Sequence, residues 1–130
     1  MGIARQVATR STCPRRQVGS VIVSPDKMAI STGFNGSLRG LPHCDTVGCD
    51  MQDSHCVRVV HSEINAIALA ARSGVKLDGC TLYCTMYPCL HCFMALATAG
   101  IKEIVYQELY KPDRRIMPMA IASNILLRQI

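Results

Sequence analysis

Apolar residues along the chain switch between two periods, and the switches mark its elements. Residues 1–10 place Ile3, Ala4 and Val7 on one face of a short helix. The run Val18-Gly19-Ser20-Val21-Ile22-Val23 is rich in β-branched residues and closes on the turn signal Ser24-Pro25-Asp26, which predicts a buried strand. Residues 28–34 read as its hairpin partner. Over 61–72 the apolar positions Ile64, Ile67, Ala68 and Ala71 return to helical spacing, and Gly74 supplies a stop. A strand over 80–85 follows, then a helix over 89–99 that opens behind Pro88 and ends at Gly100. A strand over 101–106 and a last helix over 112–128 complete the series. The order αββαβαβα predicts a three-layer α/β/α domain, with a mixed central sheet and helices on both faces.

Residues 35–60 break the pattern. They hold Gly36, Gly40, Gly48 and Pro42 among scattered cysteines, and such a long irregular stretch is unusual in a compact domain unless it is functional or pinned. The length of 130 residues fits a single domain over 1–130 with a real core. A 49% hydrophobic and 18% charged composition excludes a disordered chain. No apolar run approaches the roughly 20 residues of a membrane span. The opening residues lack the apolar core of a secretory signal, and Gln6 replaces the Ser or Thr of a myristoylation site, so a cytoplasmic location is expected. The net charge of +5 suits a protein that handles anions. With no Trp, two Phe and four Tyr there are few platforms for stacking a single strand, so a small phosphorylated substrate is expected rather than a nucleic acid.

Eight cysteines without any mark of secretion point to metal or burial rather than to disulfides. His61-Ser62-Glu63 and Pro88-Cys89-Leu90-His91-Cys92 supply three borderline-soft ligands, His61, Cys89 and Cys92, with a carboxylate beside them. Three protein ligands leave a zinc ion one open position, which separates a catalytic site from a closed structural one. Cys89 and Cys92 are three apart on one helix, in the first turn, where free N–H groups and the dipole favour thiolates. Glu63, two residues past His61, can face the open position without ligating. Zinc brings the pKa of a bound water to about 7, and Glu63 can then carry a proton from that water to a substrate nitrogen. A structural zinc knuckle, or two unrelated buried thiols, is the competing reading of Cys-x-x-Cys alone. His91 points to another helix face and is expected to be exposed, while Cys80 and Cys84 are expected in the core.

A second group, Cys13, Cys44, Cys49 and either His55 or Cys56, crowds into or beside the irregular stretch, with His43 as a further candidate. A closed structural zinc there would order the long loop and tie it to the segment before the first strand. Reduced, partly buried cysteines without metal are the alternative.

His-x-Glu followed by Pro-Cys-x-x-Cys is the signature of zinc nucleobase deaminases. With Arg10-Ser11-Thr12-Cys13, Gln17 to Val23, Ser31-Thr32-Gly33-Phe34-Asn35-Gly36-Ser37 and Gly40-Leu41-Pro42-His43-Cys44-Asp45, the chain resembles the deoxycytidylate deaminases of the cytidine-deaminase superfamily over about 10–106. The resemblance implies a cytidine-deaminase-like fold and the hydrolysis of dCMP to dUMP and ammonia, supplying thymidylate synthesis. It places Asn35 by the sugar and the Ser62 backbone at the pyrimidine carbonyl. Arg15, Arg16, Arg114 and Tyr110 are the phosphate candidates. It further implies a homo-oligomer, a hexamer or a dimer, and control by dCTP and dTTP with Mg2+ at a separate site around Gly36, Ser37 and Arg39. Three departures stand out: Ser62 replaces the usual Ala, Leu38 stands where Pro is common, and the C-terminus is expected to lack a further strand that some relatives carry. The rival readings are a deaminase of another cytosine nucleotide or nucleoside, a deaminase of a base in RNA, and an inactive zinc-binding module. Retention of Glu63 argues against the last.

Overall fold

Ser24 and Lys27 make the first tight turn. The Ser24 amide donates to Met28 O at 2.8 Å, and Lys27 takes φ 66°. The turn joins β1 (Gly19–Val23) to β2 (Ala29–Phe34) as an antiparallel hairpin with Ser20 opposite Gly33. In the computed structural model, which describes residues 1–130, this hairpin is one end of a five-stranded sheet. The sheet adds β7 (Thr81–Met86), β8 (Glu103–Glu108) and β9 (Leu126–Gln129) in the order β2-β1-β7-β8-β9. β7 runs antiparallel to β1, whereas β7/β8 and β8/β9 are parallel, so the sheet is mixed. Each parallel step needs a crossover, supplied by α4 (Leu90–Thr98) and α5 (Ile116–Ala122).

Two glycines set the layers. A Cβ on Gly19 would collide with Ala4 O and the Ala8 backbone of α1 (Gly2–Ala8). One on Gly33 would collide with Ser62 O and the Ala66 backbone of α3 (Ser62–Arg72). Gly33 pairs with Ser20, the neighbour of Gly19, and successive side chains of a strand point to opposite faces. The two helices therefore press on opposite faces of the hairpin, which is the three-layer arrangement the pattern predicts. Ile22, Leu82, Phe93, Leu96, Ile104 and Ile116 fill the main core. Truncating the fully buried Phe93 to Ala is expected to remove about 3–5 kcal/mol.

The C-terminus corrects the expected final helix. α5 stops at Ala122, Asn124 adopts the left-handed conformation at φ 53°, and Leu126–Gln129 adds β9 parallel to β8. The expected absence of a further strand is thus also overturned. Ile125 is buried, Leu126 exposed and Leu127 half-buried, an alternation of period two inside a segment read as helical.

The irregular stretch is also more ordered than expected. It contains β3 (Gly36–Ser37) paired with β6 (Val59–Val60), a single-turn helix α2 (Cys44–Val47), and β4 (Met51–Gln52) paired with β5 (His55–Cys56). No helix of the chain is long and apolar enough to cross a membrane.

Candidate active site

Both predicted motifs sit where a strand hands over to a helix. His61 is the N-cap of α3 and Cys89 the N-cap of α4, each with extended backbone, and Cys92 lies in the first turn of α4. His61 Nδ1 lies 3.6 Å from Cys89 Sγ and 3.4 Å from Cys92 Sγ. A tetrahedral zinc with Zn–S about 2.3 Å and Zn–N about 2.0–2.1 Å separates N and S ligands by about 3.6 Å. The donor set and its spacing therefore fit zinc, with a fourth position left for another ligand.

The electrostatics agree. The Cys92 hydrogen bond, with help from His61, holds the Cys89 thiol down at about 3, while the same contact and burial push Cys92 up. The pair carries one thiolate, on Cys89, and that contact in turn raises His61. Glu63 is 4% exposed, and burial raises its carboxyl against the pull of the nearby His61. Its Oε2 accepts a 2.9 Å bond from Ser62 Oγ.

His61, Ser62, Glu63 and Cys89 line a cavity of about 470 Å³. Around it Arg15, Arg16, Lys111 and Arg115 gather positive charge. The Arg16 guanidinium stacks 4.0 Å over the Tyr110 ring. Arg15 Nη2 donates to Ser54 O at 2.6 Å and reaches Tyr110 Oη at 3.5 Å. Arg114, a phosphate candidate from the sequence, is exposed and does not line the cavity; its neighbour Arg115 does, in a 2.6 Å ion pair with Asp113. Spacing alone could not tell these adjacent arginines apart.

Asn35 lines the cavity, but its amide also has structural work. Oδ1 accepts from the Val18 amide at 2.7 Å, and Nδ2 donates to Arg16 O at 2.8 Å. The side chain thereby fixes the segment carrying Arg16. Ser62 turns its side chain inward, leaving only backbone for a ligand. His91 is exposed, and Cys80 and Cys84 are buried, as expected. Sequence reasoning missed Ser20 and the placement of Cys84. Ser20 Oγ lies 2.7 Å from Ser62 Oγ and 3.3 Å from Cys84 Sγ, directly behind Glu63. Their even positions on β1 and β7, facing α3, were the only available signal.

A second cluster borders the same cavity, which Cys13 and Cys56 also line. Cys13, Cys44, Cys49 and Cys56 bring all four sulfurs within 4.8 Å of one another. The fourth member is Cys56; His55, the first choice from the sequence, is exposed, because adjacent residues of β5 point to opposite sides. Cys13–Cys49 and Cys44–Cys56 are each 3.7 Å apart, against about 3.8 Å for sulfurs on a tetrahedral zinc. Burial and the Cys56 thiol push Cys44 up, and the Ser37 hydroxyl opposes them. Gly36 and Ser37 form β3, so two of the three effector candidates are part of a strand pair rather than an open loop. Only Arg39 is exposed.

Residues 1–108 match the family model of the cytidine and deoxycytidylate deaminase zinc-binding region. The ComE operon protein 2 of Bacillus subtilis is 47% identical over 130 residues, which cover 100% of this chain and 68% of that protein. The deoxycytidylate deaminase of Saccharomyces cerevisiae is 36% identical over 135 residues, covering 99% of this chain but 43% of the yeast protein, so the chain spans less than half the length of that relative. Among solved structures, the dCMP deaminase of cyanophage S-TIM5 in complex with dCMP and dUMP superposes with a TM-score of 0.85 at 27% identity, covering 99% of this chain and 92% of the phage chain. A match over most of the length, carried on a helix-capped His-x-Glu and Cys-x-x-Cys pair, means that the chain belongs to the cytidine and deoxycytidylate deaminase family.

Proposed function

We propose that the protein hydrolyses dCMP to dUMP and ammonia. The observation that carries this reading is the buried Glu63 beside His61, Cys89 and Cys92 in a cavity ringed by arginines. Support comes from the cyanophage relative, whose structure holds dCMP and dUMP. His61, Cys89 and Cys92 would hold the zinc, which when bound supplies Lewis-acid activation of water at its open position. Glu63 accepts a proton from the attacking water and delivers it to the pyrimidine ring nitrogen. The water oxygen adds at the carbon bearing the amino group, its second proton passes through Glu63 to that amino group, and ammonia leaves as the C–N bond breaks and the carbonyl forms. Burial suits Glu63 to this exchange because a raised carboxyl pKa brings its two protonation states closer in energy near neutral pH. The Ser62 backbone meets the base carbonyl, Asn35 borders the sugar, and Arg16 with Tyr110 receives the phosphate.

The four-cysteine cluster is read as a second, structural zinc site. Its sulfur spacing fits, and the buried Thr12 hydroxyl, which lacks a hydrogen-bond partner, adjoins Cys13 in the chain. Effector control is read at Arg39, near a cavity of about 350 Å³ lined by Leu38, Leu41 and Arg58, where a nucleoside triphosphate would enter with Mg2+. Self-association is read from exposed Met117, Ile121, Leu126 and Ile130 at the β9 edge.

The test is ammonia release from dCMP, dCTP, deoxycytidine and CMP side by side, with zinc measured on the same sample. Preference for dCMP with about two zinc per chain is expected. Preference for the nucleoside or the triphosphate would overturn the phosphate assignment and leave the chemistry. No turnover by zinc-loaded protein, with or without dCTP and Mg2+, would overturn the activity.

A further inference from the structure

Behind Glu63 the protein builds a line of three buried groups that zinc coordination does not require. Ser62 Oγ donates to Glu63 Oε2 at 2.9 Å, Ser20 Oγ lies 2.7 Å from Ser62 Oγ, and Cys84 Sγ lies 3.3 Å from Ser20 Oγ. Ser20, Ser62 and Cys84 are each 0% exposed. Ser62 donates to the Glu63 carboxyl, and the Ser20 hydroxyl, with its one proton, has the Ser62 hydroxyl or the Cys84 thiol as acceptor. Burial, with the nearby Glu63, pushes that thiol up to about 12, so its proton is retained. Every buried group in the line thereby has a partner.

We propose that Ser62 and Ser20 are positioning residues that hold the Glu63 carboxyl in one orientation. The proposal rests on the deaminase reading above and adds to it a role for side chains outside the metal ligands. In this chain, removing the Ser62 hydroxyl takes away the partner of Glu63 Oε2, and a buried polar group is costly to leave unpaired. Small misplacements of a catalytic group lower turnover steeply. Substrate affinity and zinc loading should hardly respond, because neither serine offers a side-chain atom to substrate or metal.

The experiment compares zinc-loaded wild type with Ser62→Ala, Ser20→Ala, the double variant and Ser31→Ala. Ser31 is another buried serine, 4% exposed, that also bonds α3, but its Oγ donates to Ala66 O at 2.7 Å rather than to the Glu63 line. With dCMP, Ser62→Ala is expected to lose about tenfold in kcat and Ser20→Ala about threefold, with KM within about twofold and zinc unchanged. The double variant should be no worse than Ser62→Ala, because Ser20 reaches Glu63 only through Ser62. Crystals of zinc-loaded Ser62→Ala should show the Glu63 carboxyl in more than one orientation, against one in wild type. An unchanged kcat in Ser62→Ala, an equal fall in Ser31→Ala, additive losses in the double variant, or a single undisturbed Glu63 orientation would each overturn the proposal. Should wild type release no ammonia from dCMP, the substrate reading fails by itself, and the crystallographic comparison still decides the role of the serines.

Discussion

His61, Cys89 and Cys92 stand at the first turns of two packed helices of 11 and 9 residues. Cys13 and Cys49 stand in irregular chain, Cys44 opens a helix of 4 residues, and Cys56 lies in a strand of 2. The physical consequences differ. α3 and α4 carry the fully buried Ala66, Phe93 and Leu96 into the main core, so that core can place the three-donor cluster whether or not a metal is bound. A one-turn helix and two-residue strands cannot form alone in water. Their geometry needs an external source of order, and four thiolates on one metal would supply it. One cluster adds chemistry to a finished scaffold; the other stands in for scaffold.

The widest gap between the regions should appear at Glu63. Glu63→Gln is expected to cut dCMP turnover by about 10³-fold or more while zinc content stays at the wild-type level, because the amide keeps the packing and loses the proton transfer. Steady-state rates with metal analysis check it, and a residual rate within tenfold would remove Glu63 from the chemistry. The paired cysteine variants come next. Cys89→Ala should abolish turnover, lose one zinc, and move Tm little. Cys56→Ala should also lose one zinc but lower Tm by about 10 °C and open the chain between residues 36 and 60 to limited proteolysis. The reverse pattern, with Cys89→Ala the less stable, would invert the division of labour.

The same contrast explains how much was legible in the sequence. Strands and helices long enough to show a period were readable, and with them came His61, Glu63, Cys89 and Cys92, because chemistry mounted on regular elements inherits their spacing. The four-cysteine cluster was readable as composition, but not in its fourth ligand. Choosing Cys56 over His55 depends on the facing of β5, a strand too short to carry any periodicity. β9 was hidden for a related reason. Its alternation spans Ile125, Leu126 and Leu127 and follows a helix directly, so only the left-handed Asn124 separates two periods that run together in the sequence. Ser20 and Cys84 lay beyond reach because their meaning comes from β1 and β7 pairing in register, Ser20 opposite Cys84, beneath α3.

The cavity's basic rim belongs to neither cluster and separates the substrate readings. Arg16→Ala removes the cation stacked on Tyr110 and is expected to raise KM for dCMP about tenfold, with a smaller change in kcat. Deoxycytidine, which has no phosphate, should be processed equally by both proteins. A parallel loss on the nucleoside would mean that the Arg16 side chain acts by holding the cavity wall, through its stack on Tyr110, rather than by meeting phosphate.

The smallest effect distinguishes a residue kept for chemistry from one kept for stability. In metal-free protein, burial raises the Glu63 carboxyl above its ordinary value of 4.5. The folded state then holds the proton more tightly than the unfolded state, so stability falls as pH rises from 4.5 through the folded value, and the penalty is complete above it. Gln at this position carries no such penalty. Chelator-treated Glu63→Gln should therefore melt a few degrees above chelator-treated wild type at neutral pH, and the two should converge below about pH 4.5. Identical melts at neutral pH would mean that the line of Ser62, Ser20 and Cys84 already offsets the burial of the charge. In the four-cysteine region no buried carboxylate is present to produce such a crossing, so substitutions there should shift stability in the same direction at every pH where the fold survives.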